Sequence, residues 1–281
     1  MTLIMPLLRD QQLLDSIAAL RATGQFGIWW LGQSGFLICY QGATLLIDPY
    51  LSNSLTTKYA ATPKPHIRMT EIPIDPARLG FVDLVTSSHN HTDHLDAETL
   101  VPLMQANPQI TVVVSAANLA FAAERLGVPP ARLVAITQQQ PLVYGSLRLH
   151  AVPAAHEQRE ADAHGHERFI GLVVQVGPYT LYHSGDTLRY DGMAELLRPF
   201  RIDVALLPIN GRDPARGVAG NLSGPEAAQL AHDIGAGLVI PCHYEMFTFN
   251  TADPAAFAAA AEALGQPYRI LRCGECMIWE R

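Results

Sequence analysis

Six consecutive residues, His89-Asn90-His91-Thr92-Asp93-His94, carry three imidazoles and one carboxylate. Zinc, iron and manganese all accept these donors, so the run reads as a metal-binding segment. A single histidine would mean little, because many are hydrogen-bonded structural groups. A set this dense in ligand types has no obvious use in packing. Alternate side chains of a turn can share a centre, which puts His89 and His91 on one ion and lets Asp93 and His94 face a second.

Two ions need more donors, and the downstream sequence places them after strand-like runs: His156, Asp186 within Ser184-Gly185-Asp186-Thr187, and His243. The expected set is His89, His91 and His156 on the first ion, Asp93, His94 and His243 on the second, and Asp186 bridging. Coordination positions then remain for water and substrate, as a catalytic centre requires. Two ions about 3.5–4 Å apart bring the pKa of a shared water toward about 7, and the bridging hydroxide so formed attacks a carbonyl carbon or phosphorus. Asp93 is the candidate catalytic residue, passing a proton to the leaving group.

For the substrate, the candidate surface is the loop Asn210-Gly211-Arg212-Asp213-Pro214-Ala215-Arg216-Gly217. Arg212 or Arg216 can grip a phosphate or carboxylate as a fork, although solvated arginines are the plainer reading. Asn210, Asn221 and Tyr244 are further hydrogen-bonding candidates. Other ligand types compete less well. His164 and His166 sit in a polar segment that reads as a solvated loop, and His66, His150 and His232 have no supporting cluster. His183 suits a core or a ligand-orienting role, and Asp48 either orients a ligand histidine or makes an Asx turn. Cys273-Gly274-Glu275-Cys276 lacks a second pair to complete a zinc site, so all four cysteines read as ordinary thiols.

The elements that must hold these residues follow from periodicity. Strand-like runs at Ile28 to Leu31, Phe36 to Tyr40 and Thr44 to Ile47 are separated by glycines and read as an antiparallel meander. Further strands are expected at Val82 to Ser87, Thr111 to Val114, Leu133 to Ile136, Leu147 to Val152, Ile170 to Val176, Thr180 to His183, Val204 to Pro208 and Leu238 to Pro241. Helices are expected at Ala116 to Leu126 with Ser115 as its cap, after Asp96, after Ser223-Gly224-Pro225-Glu226 with its capping-box spacing, and from Asp253-Pro254 to Gly265. Hairpins followed by alternating strands and helices predict an α/β fold, a four-layer α/β/β/α sandwich. Thr56 to Ile74 and Glu157 to Glu167 are irregular and read as loops near the mouth of the site.

The pattern His-x-His-x-Asp-His, with His156, Ser184-Gly185-Asp186 and His243, resembles the metallo-β-lactamase superfamily of hydrolases over nearly the whole chain. Within it, Trp29-Trp30-Leu31-Gly32, Leu181-Tyr182-His183-Ser184-Gly185-Asp186, Ile202-Asp203-Val204-Ala205-Leu206 and Val239-Ile240-Pro241 resemble the L-ascorbate-6-phosphate lactonase branch. So does the His243 segment followed by Ala252-Asp253-Pro254. That branch implies hydrolysis of a lactone or related ester of a small sugar acid, with or without a phosphate, and favours manganese. Ser88-His89-Asn90-His91 with Asp93-His94-Leu95-Asp96 is similar to N-acyl phosphatidylethanolamine phospholipase D, which implies phosphodiesterase chemistry as the alternative. A non-hydrolytic metal-binding or redox scaffold is the reading of another class, since some superfamily relatives pair di-iron with a flavin domain.

Composition bounds the rest. At 281 residues, 49% hydrophobic and 16% charged, the chain has material for one large core, and a single domain over 1–281 is expected. A net charge of −7 with lysine only at Lys58 and Lys64 excludes the basic field that nucleic acid needs. The expected partner is a small molecule, anionic ones included, with self-association left open. Met1 to Leu8 is apolar, but Arg9 and Asp10 follow too soon for a secretory segment, and no run spans a membrane. With scattered cysteines, a cytoplasmic setting is expected. The cofactors are two divalent ions, Mn2+ or Zn2+, with Fe also accommodated.

Overall fold

The computed structural model describes residues 2–279, so Met1 of the apolar N-terminal run lies outside the described residues. In chain order the strands are β1 (Gly27–Trp30), β2 (Phe36–Tyr40), β3 (Ala43–Ile47), β4 (Leu84–Ser87), β5 (Thr111–Ser115), β6 (Leu133–Ile136), β7 (Leu142–Tyr144), β8 (Leu147–Pro153), β9 (Ile170–Val176), β10 (Tyr179–His183), β11 (Val204–Pro208), β12 (Leu238–Cys242) and β13 (Cys276–Ile278). They form a seven-stranded sheet, β13-β1-β2-β3-β4-β5-β6, and a six-stranded one, β12-β11-β10-β9-β8-β7. Both sheets are mixed. The β1 to β3 meander is antiparallel and β3 to β6 run parallel; β7 to β10 are antiparallel and β10 to β12 parallel.

The helices are α1 (Asp10–Thr23), α2 (Ser54–Tyr59), α3 (Ala97–Ala106), α4 (Leu119–Leu126), α5 (Met193–Leu197), α6 (Gly224–Ile234) and α7 (Ala255–Leu264). The alternation of strand side chains explains how they are layered. Ile28, Trp30, Phe36, Ile38, Leu45 and Ile47 share one buried cluster with Leu149, Leu172 and Val174 of the other sheet. Their neighbours Trp29, Leu37, Cys39 and Leu46 turn the opposite way, onto Leu13 and Ile17 of α1, Leu103 of α3 and Ala122 of α4. On the second sheet α6 packs over β11 and β12, with α7 beside it. The result is the four-layer α/β/β/α sandwich.

Local signals hold at several ends and fail at others. The capping box closes as Ser223 accepts from the Glu226 amide and the Glu226 carboxylate accepts from Ser223, while Gly235 and Gly265 take left-handed conformations after α6 and α7. The expected helix from Ala116 is instead a 3-10 turn over Ala116–Asn118, with α4 starting at Leu119. Ser115 does not cap it, because its hydroxyl donates to the Glu167 carbonyl across the site edge. Asp96 stands at the start of α3 but makes no cap bond; its carboxylate takes the hydroxyls of Ser52 and Thr99. Thr56 to Ile74 is not wholly irregular, since α2 runs to Tyr59. α1, α5 and the short edge strands β7 and β13 are additions to the expected elements. No helix among the described residues is long and apolar enough to cross a membrane.

Candidate metal centre

Strands from both sheets end along one edge, and each delivers a donor just past its last residue. From the first sheet β3 leads to Asp48 and β4 into the His89 to His94 loop. From the second, β8 leads to His156, β10 to Asp186 and β12 to His243. Arg125 on α4 pins the histidine loop by donating to the carbonyls of Asn90, at 2.6 Å, and Leu95, at 3.2 Å.

Three sets of donor atoms converge, each with all its atoms within 4.8 Å of one another: His89 with His91 and His156, His89 with His94 and Asp186, and Asp93 with His94 and His243. The first and third are the two triads expected from the spacing. Asp186 lies between them, with Oδ1 3.3 Å from His94 Nε2 and Oδ2 3.7 Å from His156 Nε2 and 3.4 Å from His243 Nε2. His91 is exposed and Asp93 half-buried, whereas the other five are buried.

Hydrogen bonds on the far side of the rings decide which nitrogen faces the centre. His94 Nδ1 donates to Asp48 Oδ2 at 2.6 Å, and His156 Nδ1 donates to the Gly220 carbonyl at 3.0 Å, so each ring turns its Nε2 toward the centre. Ser88 gives its hydroxyl hydrogen to Asp48 and so accepts from His89 Nδ1, at 3.0 Å. One carboxylate therefore orients two histidines, and the orienting role considered for Asp48 is the one its contacts match.

Charge and burial together describe what the cluster lacks. Burial, reinforced by His94 and His91, holds the His89 pKa well below the ordinary histidine value. Burial also opposes a charge on His94, yet Asp186, Asp93 and Asp48 around it hold its pKa well above that value. Asp186 loses by burial and gains more from His94 and His243, so its carboxyl stays well below the usual range. The carboxylates demand positive charge at this spot. Nε2 of His89, Nε2 of His94 and Oδ1 of Asp186 are buried without a hydrogen-bond partner, which is costly in a protein interior. A divalent cation satisfies both demands, and the donor set fits one.

The backbone is strained at the same edge. Asp48 (φ 42°), His243 (φ 64°) and Gln33 (φ 50°) all occupy the left-handed region, at a cost on the order of 1–3 kcal/mol each. Gly185 (φ 60°) can be only glycine, because a Cβ there would meet the Ile170 carbonyl at 2.7 Å.

His91, Asp93, His156, Asp186 and His243 line a cavity of about 460 Å³, together with Lys58, Tyr59, His66, Phe121 and Phe249. His66 stacks on Tyr59 at 4.2 Å and meets Phe249 edge-on at 4.6 Å. None of the five residues expected to contact substrate lines this cavity. Asn221 donates to Asn210, which donates to Asn250 of the wall at 2.9 Å, and Arg216 donates to the Asn210 carbonyl at 2.5 Å. Arg212 points outward to pair with Glu157. Tyr244 is buried in the core, its hydroxyl donating to the Leu271 carbonyl and its ring 4.3 Å from Trp30.

The remaining candidates have structural partners. His183 donates from Nε2 to the Ser34 carbonyl at 2.9 Å and accepts the Gly185 amide on Nδ1 at 3.1 Å, so it braces the turn before Asp186. His164 is exposed and His166 contacts Asp162, as a solvated loop would have it. All four cysteines are free thiols, and none belongs to a donor group among the described residues. Gln33, Arg125 and the aromatic wall are absent from the sequence-based expectation. For the wall, the aromatic spacing of Phe247-Thr248-Phe249 close after His243 is the available signal.

Two stacked mixed sheets with donors gathered at one edge define the metallo-β-lactamase fold. YhfI from Bacillus subtilis, a solved protein of that fold, superposes with a TM-score of 0.65 at 18% identity, covering 90% of this chain and 99% of that one. Residues 43–244 match the β-lactamase superfamily domain, and the chain belongs to that family. It is 29% identical to a metal-dependent hydrolase of Caldivirga maquilingensis over 86% of this chain and 92% of that one. It is 24% identical to UlaG of Escherichia fergusonii, named a probable L-ascorbate-6-phosphate lactonase, over 83% of this chain and 73% of that one.

Proposed function

We propose that the chain, acting as one domain, is a metal-dependent hydrolase that holds two divalent ions. His89, His91 and His156 hold one, Asp93, His94 and His243 the other, and Asp186 serves both. The observation that carries this reading is the Asp186 carboxylate, whose two oxygens face histidines of both triads at 3.3–3.7 Å. The metal-dependent hydrolases among its relatives and the buried unpartnered donors support it.

The ions would supply Lewis acidity, activating water and polarising the substrate oxygen. Asp48 and Ser88 hold His94 and His89 in the tautomer that presents Nε2. Asp93, which is half-buried and lines the cavity, would carry a proton to the leaving group. Manganese and zinc both suit the donors, and iron is accommodated. The free cysteines support a cytoplasmic setting.

The leading substrate is a lactone or related ester of a small acid. Lys58, exposed at the rim, is the cation placed for its anionic group, because the Arg125 guanidinium is taken up by backbone carbonyls. The aromatic wall favours a flat or acyl portion and keeps a phosphodiester with an apolar ester group as the second reading. Manganese- or zinc-loaded protein assayed on a panel of lactones, aryl esters and bis-aryl phosphodiesters decides between them. Ester or lactone turnover is expected; phosphodiester turnover alone would sink the lactonase reading, and no turnover on either class would sink the hydrolase.

A further inference from the structure

Gln33 sits in the turn between β1 and β2, outside the His/Asp pattern, and its side chain is fully buried at 0% exposure. Its carboxamide reaches the second triad. Gln33 Nε2 lies 2.7 Å from Asp93 Oδ2 and 3.0 Å from His243 Nε2, while Gln33 Oε1 is buried with no partner. The backbone holds the residue there firmly. Its carbonyl accepts both the Trp30 indole N–H, at 3.0 Å, and the His243 amide, at 2.9 Å, and its φ of 50° is one an L-residue adopts only under constraint.

This arrangement satisfies the amide nitrogen and orphans the oxygen, which is the reverse of what a cation between Asp93 and His243 requires. His243 Nε2 can give its lone pair either to the Gln33 N–H or to an ion, and not to both. A half-turn about the last side-chain torsion exchanges oxygen for nitrogen within the same volume, and that torsion is broad and nearly two-fold. We propose that Gln33 turns its carbonyl oxygen inward and becomes a ligand of the second metal position, beside Asp93, His94 and His243. The proposal rests on the two-ion reading above. It widens the chemical difference between the two positions. The first has three imidazoles; the second has two imidazoles and the oxygens of Asp93 and Gln33, a harder set that suits manganese better than three nitrogens do.

Calorimetric titration of Mn2+ into chelator-stripped protein tests it without any substrate. The wild-type protein is expected to take up two ions. Gln33→Leu should leave one affinity unchanged and weaken the other by at least about tenfold. Gln33→Glu, which keeps the shape and offers only oxygen, should bind two ions with the second at least as tight as in wild type. A purely hydrogen-bonding role predicts the opposite for Gln33→Glu, because a second carboxylate against Asp93 would disrupt the pair. Weakened second-site binding in Gln33→Glu, or unchanged affinities in Gln33→Leu, would overturn the proposal. Uptake of a single ion by wild type would instead sink the two-ion reading and take the proposal with it. Gln33→Glu remains decisive if Gln33→Leu does not fold.

Discussion

His94 donates its Nδ1 hydrogen to the Asp48 carboxylate across 2.6 Å, and the same carboxylate takes the Ser88 backbone N–H at 2.8 Å. A residue 46 positions upstream thus sets the protonation pattern of the histidine loop. Asp48→Ala should lower metal affinity by roughly 10–100-fold, as loss of a carboxylate behind a ligand histidine typically does. Competition with a coloured chelator reads the change; unaltered affinity would remove Asp48 from the centre.

The Asp186 carboxylate faces histidines of both triads, and on the bridging role proposed for it Asp186→Ala should cost both metal content and turnover together. Elemental analysis of the purified variant, with circular dichroism to confirm its fold, is the check. Two retained ions and normal rates would refute the bridging assignment.

Gly185 allows the turn that aims Asp186. Gly185→Ala forces a Cβ into a left-handed position against the Ile170 carbonyl and the Ser88 side chain, at a cost of roughly 1–3 kcal/mol. A lower thermal midpoint is expected, and so is weaker metal binding. A variant with the wild-type melting curve would show that the turn has slack.

Tyr244 belongs to the core. Tyr244→Phe leaves the buried Leu271 carbonyl without its donor and should cost about 1–3 kcal/mol in denaturant unfolding, with KM unchanged. A raised KM at unchanged stability would return Tyr244 to the substrate cavity.

The layered fold is legible in the sequence because short apolar runs such as Phe36 to Tyr40, buried between two layers, are punctuated by glycines at the turns. The donors after β4, β8, β10 and β12 are legible for a related reason: the first after each comes within three residues of the end of a strand-like run, so chain order brings it to the sheet edge. α1 carries its own signal in the spacing of Leu13, Ile17 and Leu20, which one helix face buries together. Gln33 carries none. An amide in a glycine-rich turn looks ordinary until pairing of β1 with its neighbours sets it against His243. Arg212 and Arg216 are hard to place for the converse reason, since charge and loop position say nothing about which side of the loop faces the cavity.

The edge where the strands end has a mechanical consequence. His89, His91 and His94 hang from the first sheet, and His156, Asp186 and His243 from the second. Ions held among them would act as rivets between the two halves of the sandwich, resisting their parting as well as serving chemistry. Folding and ion uptake should then be one equilibrium: ions in hundredfold excess over their dissociation constant add about 2.7 kcal/mol per site.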